Sequence, residues 1–155
     1  MIVGAYHQWV QGNSRAYVYT LQGELWTVEA VLHPPHPENS NGAFGFNVAI
    51  EGDVAAVRGE LNGDGEPVVY IYRRDAGVWA YETYVSAPAD STDDAFGYQL
   101  EIVDGHIVVG LENDDFGSLT LAGTLRFFAY DGRDWALAQT IGGDTALARL
   151  GSSLE

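Results

Sequence analysis

The sequence contains no cysteine and no lysine, and both absences restrict what the chain can do. Without cysteine there is no disulfide framework, no thiolate metal site and no cysteine nucleophile. All 7 basic residues are arginines, and they face 22 acidic residues, for a net charge of -15. Phosphate backbones are bound by basic stripes, and this chain has none. We therefore predict no nucleic-acid partner.

Long apolar runs and enzyme motifs are absent as well. No stretch reaches the roughly 20 apolar residues that a membrane helix needs, so we predict no membrane insertion. A Gly-x-Ser-x-Gly nucleophile elbow does not occur. Most of the acidic residues fall in turn-like segments instead of forming a motif of fixed spacing. The sequence therefore predicts a non-catalytic protein.

The chain repeats itself at intervals of just over 50 residues, and such periods are typical of repeat architectures. AFGFNVAIEGD from Ala43 matches AFGYQLEIVDG from Ala95, and LGSSLE from Leu150 begins the phrase again. Three further sets of residues recur in the same order: Val3-Gly4, Val57-Arg58 and Val109-Gly110; Tyr17-Val18-Tyr19, Tyr70-Ile71-Tyr72 and Phe128-Ala129-Tyr130; and Trp26, Trp79 and Trp135. The middle copy has arginine where the others have glycine.

Each repeat is predicted to form four short antiparallel strands, because β-branched and aromatic runs alternate with turn residues such as Gly52-Asp53, Asp104-Gly105 and Asp131-Gly132. Gly-rich four-stranded units of this length are typical of β-propeller blades. We predict an all-β fold of about three blades: one split between 1–42 and 150–155, one at 43–94, and one at 95–149. Aromatics that recur once per repeat are predicted to pack between blades: Phe44, Phe96, Trp26, Trp79, Trp135, Tyr19, Tyr72 and Tyr130.

The order Phe-Gly, Gly-Asp, Val-Gly, aromatic-x-aromatic and Trp resembles the FG-GAP repeats of the integrin-α-like propellers across essentially the whole chain. Arg58 and Leu150 depart from that pattern. The resemblance implies a binding or adhesion module of extracellular or cell-surface origin, with an unknown protein or glycan ligand. A sialidase-like Asp-box propeller is the rival family, since Asp75-x-Gly77-x-Trp79 is similar to its turn.

Three blades fall short of the four to eight that close a propeller, and the open edges need a partner. Met1 aligns with Ile107 and Glu155 with Glu101, so one blade is divided between the two ends. The expected partner is the chain itself, as a homodimer of six blades, with a trimer of nine as the alternative. A fragment of a longer, for example seven-bladed, FG-GAP protein is the other interpretation.

Three groups of residues are candidates for binding. Asn62, Asp64 and Glu66 place oxygen atoms at alternate positions, as a calcium loop does, although a closing bidentate carboxylate is missing; a solvated Gly-rich turn is the alternative. Asn113, Asp114 and Asp115 form the corresponding acidic loop of the next repeat. Trp9 stands outside the recurring tryptophans and is the candidate binding aromatic. Apart from calcium, no cofactor is expected.

Overall fold

The computed structural model describes residues 1–6, 14–36, 43–61, 65–91 and 95–154. These residues form strands and turns and no helix. The predicted all-β class is therefore confirmed for the described part of the chain. It follows that no helix within these ranges has the length and apolarity needed to cross a bilayer.

The described strands form three antiparallel sheets that follow one another along the chain. The N-terminal sheet has the order β1-β2-β3, the central sheet β4-β5-β6-β7 and the C-terminal sheet β8-β9-β10-β11. The strands are Ile2–Ala5 (β1), Arg15–Gln22 (β2), Leu25–Leu32 (β3), Val48–Glu51 (β4), Val54–Leu61 (β5), Glu66–Asp75 (β6), Val78–Ser86 (β7), Gln99–Val103 (β8), His106–Leu111 (β9), Thr124–Tyr130 (β10) and Trp135–Gly142 (β11).

Tight turns of the predicted residues close the hairpins. Gly52 and the pair Asp104-Gly105 have positive φ values of 55°, 49° and 73°. Positive φ is the conformation that two-residue hairpin turns demand, and Gly and Asp adopt it at little cost. Asp131 instead opens a longer connection, where its carboxylate accepts hydrogen bonds from the backbone N–H groups of Arg133 and Asp134 at 2.8 and 2.9 Å.

The central sheet is covered on both faces by its neighbours. A first apolar cluster lies between the N-terminal and central sheets and contains Ala16, Val18, Leu32, Phe44, Ala55, Val57, Val68, Tyr70 and Tyr72. A second lies between the central and C-terminal sheets and includes Ala56, Val69, Ile71, Val85, Phe96, Leu100, Ile107, Val109 and Phe128. Phe44 and Phe96 are fully buried at equivalent places in the two clusters, where each contributes about 1.5–3 kcal/mol.

The strand register corrects the alignment of the third repeat. Each sheet has a β-bulge opposite the strand that carries the recurring aromatic-x-aromatic segment. The register shifts immediately before Tyr19, Tyr72 and Phe128 respectively. Each of these three residues precedes a recurring tryptophan by seven positions. Phe128, and not Tyr130, is therefore the equivalent of Tyr19 and Tyr72. The aromatic-x-aromatic pattern misleads here because Arg126 occupies the position that tyrosine holds in the other two sheets.

Candidate functional site

The predicted calcium residues fall mostly outside the described part of the chain. Asn62 and Asp64 lie outside it, as does Trp9, and Glu66 is exposed at the start of β6. Among the described residues, no three histidine or acidic side chains come together as metal ligands. Calcium binding at this loop stays a prediction.

Asp114 in the second acidic loop is fully buried and engaged by the protein itself. Its carboxylate accepts hydrogen bonds from Arg126 Nη2 at 2.8 Å, from Thr124 Oγ1 at 2.7 Å and from Ser91 Oγ at 3.1 Å. Arg126 is also buried. Buried charges need a partner in this way, because an unpaired one loses its hydration without compensation. The Asp114 carboxylate therefore faces the interior.

Its neighbour Asp115 also stabilises the loop. The Asp115 carboxylate accepts a hydrogen bond from the backbone N–H of Leu121 at 2.9 Å. Ligand binding by Asn113 and Asp115 stays a prediction, whereas Asp114 serves the fold in the arrangement seen here.

The recurring aromatics divide into buried and exposed ones. Phe44, Phe96 and Tyr72 are buried, and Trp79 and Trp135 pack against the edges of the two clusters. Trp26, however, is 53% exposed, and Tyr130 stacks on Trp135 at the surface with ring centroids 5.6 Å apart. The difference has a positional cause, because Trp79 and Trp135 each have a preceding sheet to pack on and Trp26 has none among the described residues.

Trp79, the equivalent of Trp26, packs on the preceding sheet and forms polar contacts with it. Its indole Nε1 donates a hydrogen bond to Glu29 Oε1 on β3 at 3.0 Å, and Arg74 Nη1 donates to the same oxygen at 2.8 Å. The hydrogen bond from Arg74, together with that from Trp79, lowers the pKa of the Glu29 carboxyl. A cavity of about 300 Å³ opens beside this cluster. The contact joins the outer strands of two neighbouring sheets.

The N-terminal sheet has a face that no described residue covers, and this face repeats the covered face of the central sheet. Register pairs place Val3, Tyr17, Tyr19 and Trp26 at the positions of Val57, Tyr70, Tyr72 and Trp79. The central-sheet residues belong to, or pack against, the first cluster. On the N-terminal sheet this face also carries Leu21, Val28 and Val31, and these three side chains are exposed.

The C-terminal sheet leaves its opposite face uncovered in the part of the chain that the structure describes. Register pairs place Val108, Leu125, Phe127 and Ile141 at the positions of Ala56, Val69, Ile71 and Val85. Those four central-sheet residues belong to the second cluster. A hollow of about 350 Å³ on the uncovered face is lined by side chains that include Val103, Phe127 and Gln139. The described chain therefore presents one open face of each kind.

No protein-family model matches the chain, and no curated protein matches it. The two open faces are therefore the features from which we infer a function. The sequence predicted open strand edges but not open faces. The exposure of Trp26 could be inferred only from the order of the sheets, because its equivalents pack on a preceding sheet.

Proposed function

We propose that the chain is a non-catalytic self-assembly module, and that two copies dock face to face, head to tail, in a closed ring of six sheets. The observation that carries this proposal is the equivalence of the open and covered faces. Within one chain, a tyrosine-bearing face such as that of Tyr70 and Tyr72 meets an aliphatic face such as that of Ala16 and Val18. One open face of each type is left over, so a second copy can satisfy both.

The apolar content of the open faces supports docking rather than free exposure. Leu21, Trp26 and Val28 are each more than half exposed and lie side by side on β2 and β3. Large contiguous apolar patches on soluble proteins mark interaction sites. Aromatic residues such as Trp26 are enriched at the energetic centres of such interfaces.

The way the sheets fan out supports ring closure. The inner strands β4 and β8 lie in closer contact than the outer strands β7 and β11, so successive sheets diverge toward the outside. A head-to-tail contact closes when its rotations complete a full turn. Two copies give six sheets, within the four to eight of known propellers, whereas three copies give nine. The resemblance to FG-GAP repeats adds an extracellular or cell-surface setting to the proposal.

Light scattering and native mass spectrometry test the assembly directly. We expect a species of twice 16.8 kDa. Because each copy has a net charge of -15, association should tighten as salt rises to about 1 M, where the Debye length falls to about 3 Å. A monomer at every protein and salt concentration would overturn the proposal and favour a chain whose open faces are covered by further repeats of a longer protein.

A mixing experiment tests the head-to-tail geometry. Trp26→Asp damages one open face and Phe127→Asp the other, and Val78→Asp is the control, since Val78 is 67% exposed but lies at the turn beginning β7. Each face variant alone has two damaged junctions and should be monomeric. An equimolar mixture has one intact junction and should form a dimer. If Phe127→Asp alone stays dimeric, the contact joins identical faces and the ring is wrong.

A further inference from the structure

Arg58 stands where the two other sheets have glycine. Gly4 and Gly110 occupy the equivalent positions, and a Cβ added there would lie 1.9 Å from the carbonyl oxygen of Gly45 and 2.3 Å from that of Gly151. Both glycines are thus required for close backbone contact. In the central sheet the stem of a long charged side chain replaces this contact and lies against Gly97, where an added Cβ would be 2.8 Å from Arg58 Cγ.

The Arg58 side chain is buried as far as its Nε atom and has no ionic partner among the described residues. The residue is 6% exposed, and among the described residues its side chain makes no ion pair and no hydrogen bond; its Nε atom has no partner. Burial lowers the pKa of this group. Arg126, the other buried arginine, differs because it donates hydrogen bonds to Asp114 and Thr140. Cations this far buried are usually paired with a carboxylate, so an arginine without such a partner marks a position where an anion can bind.

Two aromatic rings contact this cation, and a third ring extends them into a continuous row. The Arg58 Cζ atom lies 4.5 Å from the ring centre of Tyr98 and 5.5 Å from that of Phe46. The Phe46 ring contacts Tyr98 at 4.8 Å and Tyr6 at 5.1 Å. All three rings are between 41% and 46% exposed. The Phe46 and Tyr98 rings hold the guanidinium through cation–π contacts, and no described residue accepts a hydrogen bond from its N–H groups.

A cavity of about 380 Å³ opens over this group. Its lining includes Tyr6, Phe46, Tyr98, Arg58 and Glu60. The volume lies in the range of small-molecule sites, and aromatic rings line it together with the charged Arg58 and Glu60. The guanidinium can bind a carboxylate through two parallel N–H···O bonds, and the Glu60 carboxylate can accept hydrogen bonds from hydroxyl groups.

We propose that this cavity, the Arg58 site, binds a carboxylated sugar of the uronic-acid type. Arg58 would pair with the carboxylate, the aromatic row would pack on the C–H face of the sugar ring, and Glu60 would accept from its hydroxyls. One negative charge suits the single guanidinium, whereas a dianionic phosphate would be repelled by Glu60 and by the acidic chain as a whole. All of these residues belong to one chain, so the site goes beyond the proposed assembly and does not depend on it.

Calorimetric titration with three sugars tests the ligand class. Glucuronate should bind, and uncharged glucose should bind at least about tenfold more weakly, a difference of about 1.4 kcal/mol, which is near the low end for a hydrogen bond to a charged group. Glucose 6-phosphate should also bind more weakly than glucuronate. Equal binding of glucuronate and glucose, preference for the phosphate, or no binding of any of the three overturns the proposal.

Variants then assign the binding to Arg58. Arg58→Met should weaken glucuronate binding at least about tenfold, while Arg133→Met, which alters a 90% exposed side chain in the connection after β10, should leave it unchanged. The melting temperature of Arg58→Met should be equal to or above that of the parent, because an unpaired buried charge is removed. A strongly lowered melting temperature would assign Arg58 to the fold instead.

Two further variants protect the result from a folding defect. Tyr98→Leu and Tyr6→Leu alter partly exposed rings and should each weaken glucuronate binding while the melting temperature changes little. Undiminished binding in both would refute the role of the aromatic row. The same titration on monomeric Trp26→Asp should give the same Kd as the parent, so failure of the ring proposal leaves this test intact.

Discussion

Removal of the Asp114 carboxylate should destabilise the fold more than removal of any exposed charge. Asp114→Ala leaves the buried Arg126 guanidinium without the partner that lies 2.8 Å away. It also removes the acceptor of the Thr124 hydroxyl. Part of the pairing survives, because Asp90 lies 3.4 Å from Arg126 Nη1 and Thr140 accepts from the same nitrogen at 3.0 Å.

The magnitude follows from these contacts. Breaking a buried ion pair by removing one partner costs about 3–5 kcal/mol. The contacts of Arg126 with exposed Asp90 and with Thr140 place the expected loss near the lower end, about 3 kcal/mol. Domains of this size lose roughly 2–4 °C in Tm for each kcal/mol, so Tm should fall by about 10 °C.

Urea unfolding provides the assay, at one fixed protein concentration because association makes stability depend on concentration. The matched comparison is a cycle of Asp114→Ala, Arg126→Met and the double variant. Replacing both charges by apolar groups is often neutral, so the double variant should recover at least half of the loss of Asp114→Ala. A loss below about 1 kcal/mol for Asp114→Ala, or a double variant as unstable as the sum of the two single variants, would refute the reasoning.

Two further changes test the backbone and the outer-strand cluster. Gly45→Ala should lower the free energy of unfolding by more than about 2 kcal/mol, because φ is +82° and the new Cβ would lie 2.5 Å from the carbonyl oxygen of Arg15. Gly52→Ala is the control, since it has φ +55° in open space and should cost about 1 kcal/mol. Equal losses in urea unfolding would contradict the close contact. The lowered pKa of Glu29, caused first by Arg74, means that its stabilisation is present above the ordinary carboxyl range and is lost as pH falls through the folded-state value. The stability difference between the parent and Glu29→Gln should therefore be largest near neutral pH and vanish in acid, and a difference that does not change with pH would show that the charge is not involved.

The hairpins could be predicted from the sequence because their causes are local. Gly52, Asp104 and Gly105 carry the positive φ values that the turns need, and the runs beside them alternate toward the buried clusters. Strands extend beyond their apolar runs where pairing continues. β5, for instance, extends to Leu61 and pairs as far as Glu66 on the neighbouring strand.

The register of the third repeat was harder to predict from the sequence, and the reason is physical. Leu125 pairs with Gly110, whereas the equivalent Val69 pairs with Arg58, so the segment between the paired residues is four residues longer in the third repeat than in the second. The extra residues hold the Asp114 loop. Uniform spacing to the tryptophans would have identified Phe128, since it alone keeps the interval of seven.

The candidate sites could be predicted only in part. A glycine-to-arginine change at Arg58 is visible in the sequence, yet burial and the surrounding rings depend on Phe46 and Tyr98, which come from the segments before two different strands. The pairing of Asp114 with Arg126 likewise joins a loop to a strand position that in the other sheets is tyrosine. Neither contact has a spacing that local sequence reveals.

The two buried arginines, Arg58 and Arg126, are departures from the repeat, and they differ in how the protein accommodates them. Both stand at positions where the other sheets have a different residue, glycine for Arg58 and tyrosine for Arg126. The second departure is compensated inside the protein, because a longer loop brings Asp114 to the guanidinium. The first is contacted by the rings of Tyr98 and Phe46, but its side chain has no hydrogen-bond acceptor among the described residues. Assembly requires only the recurring apolar positions, so it does not account for this arginine. A bound carboxylate would supply the missing acceptor.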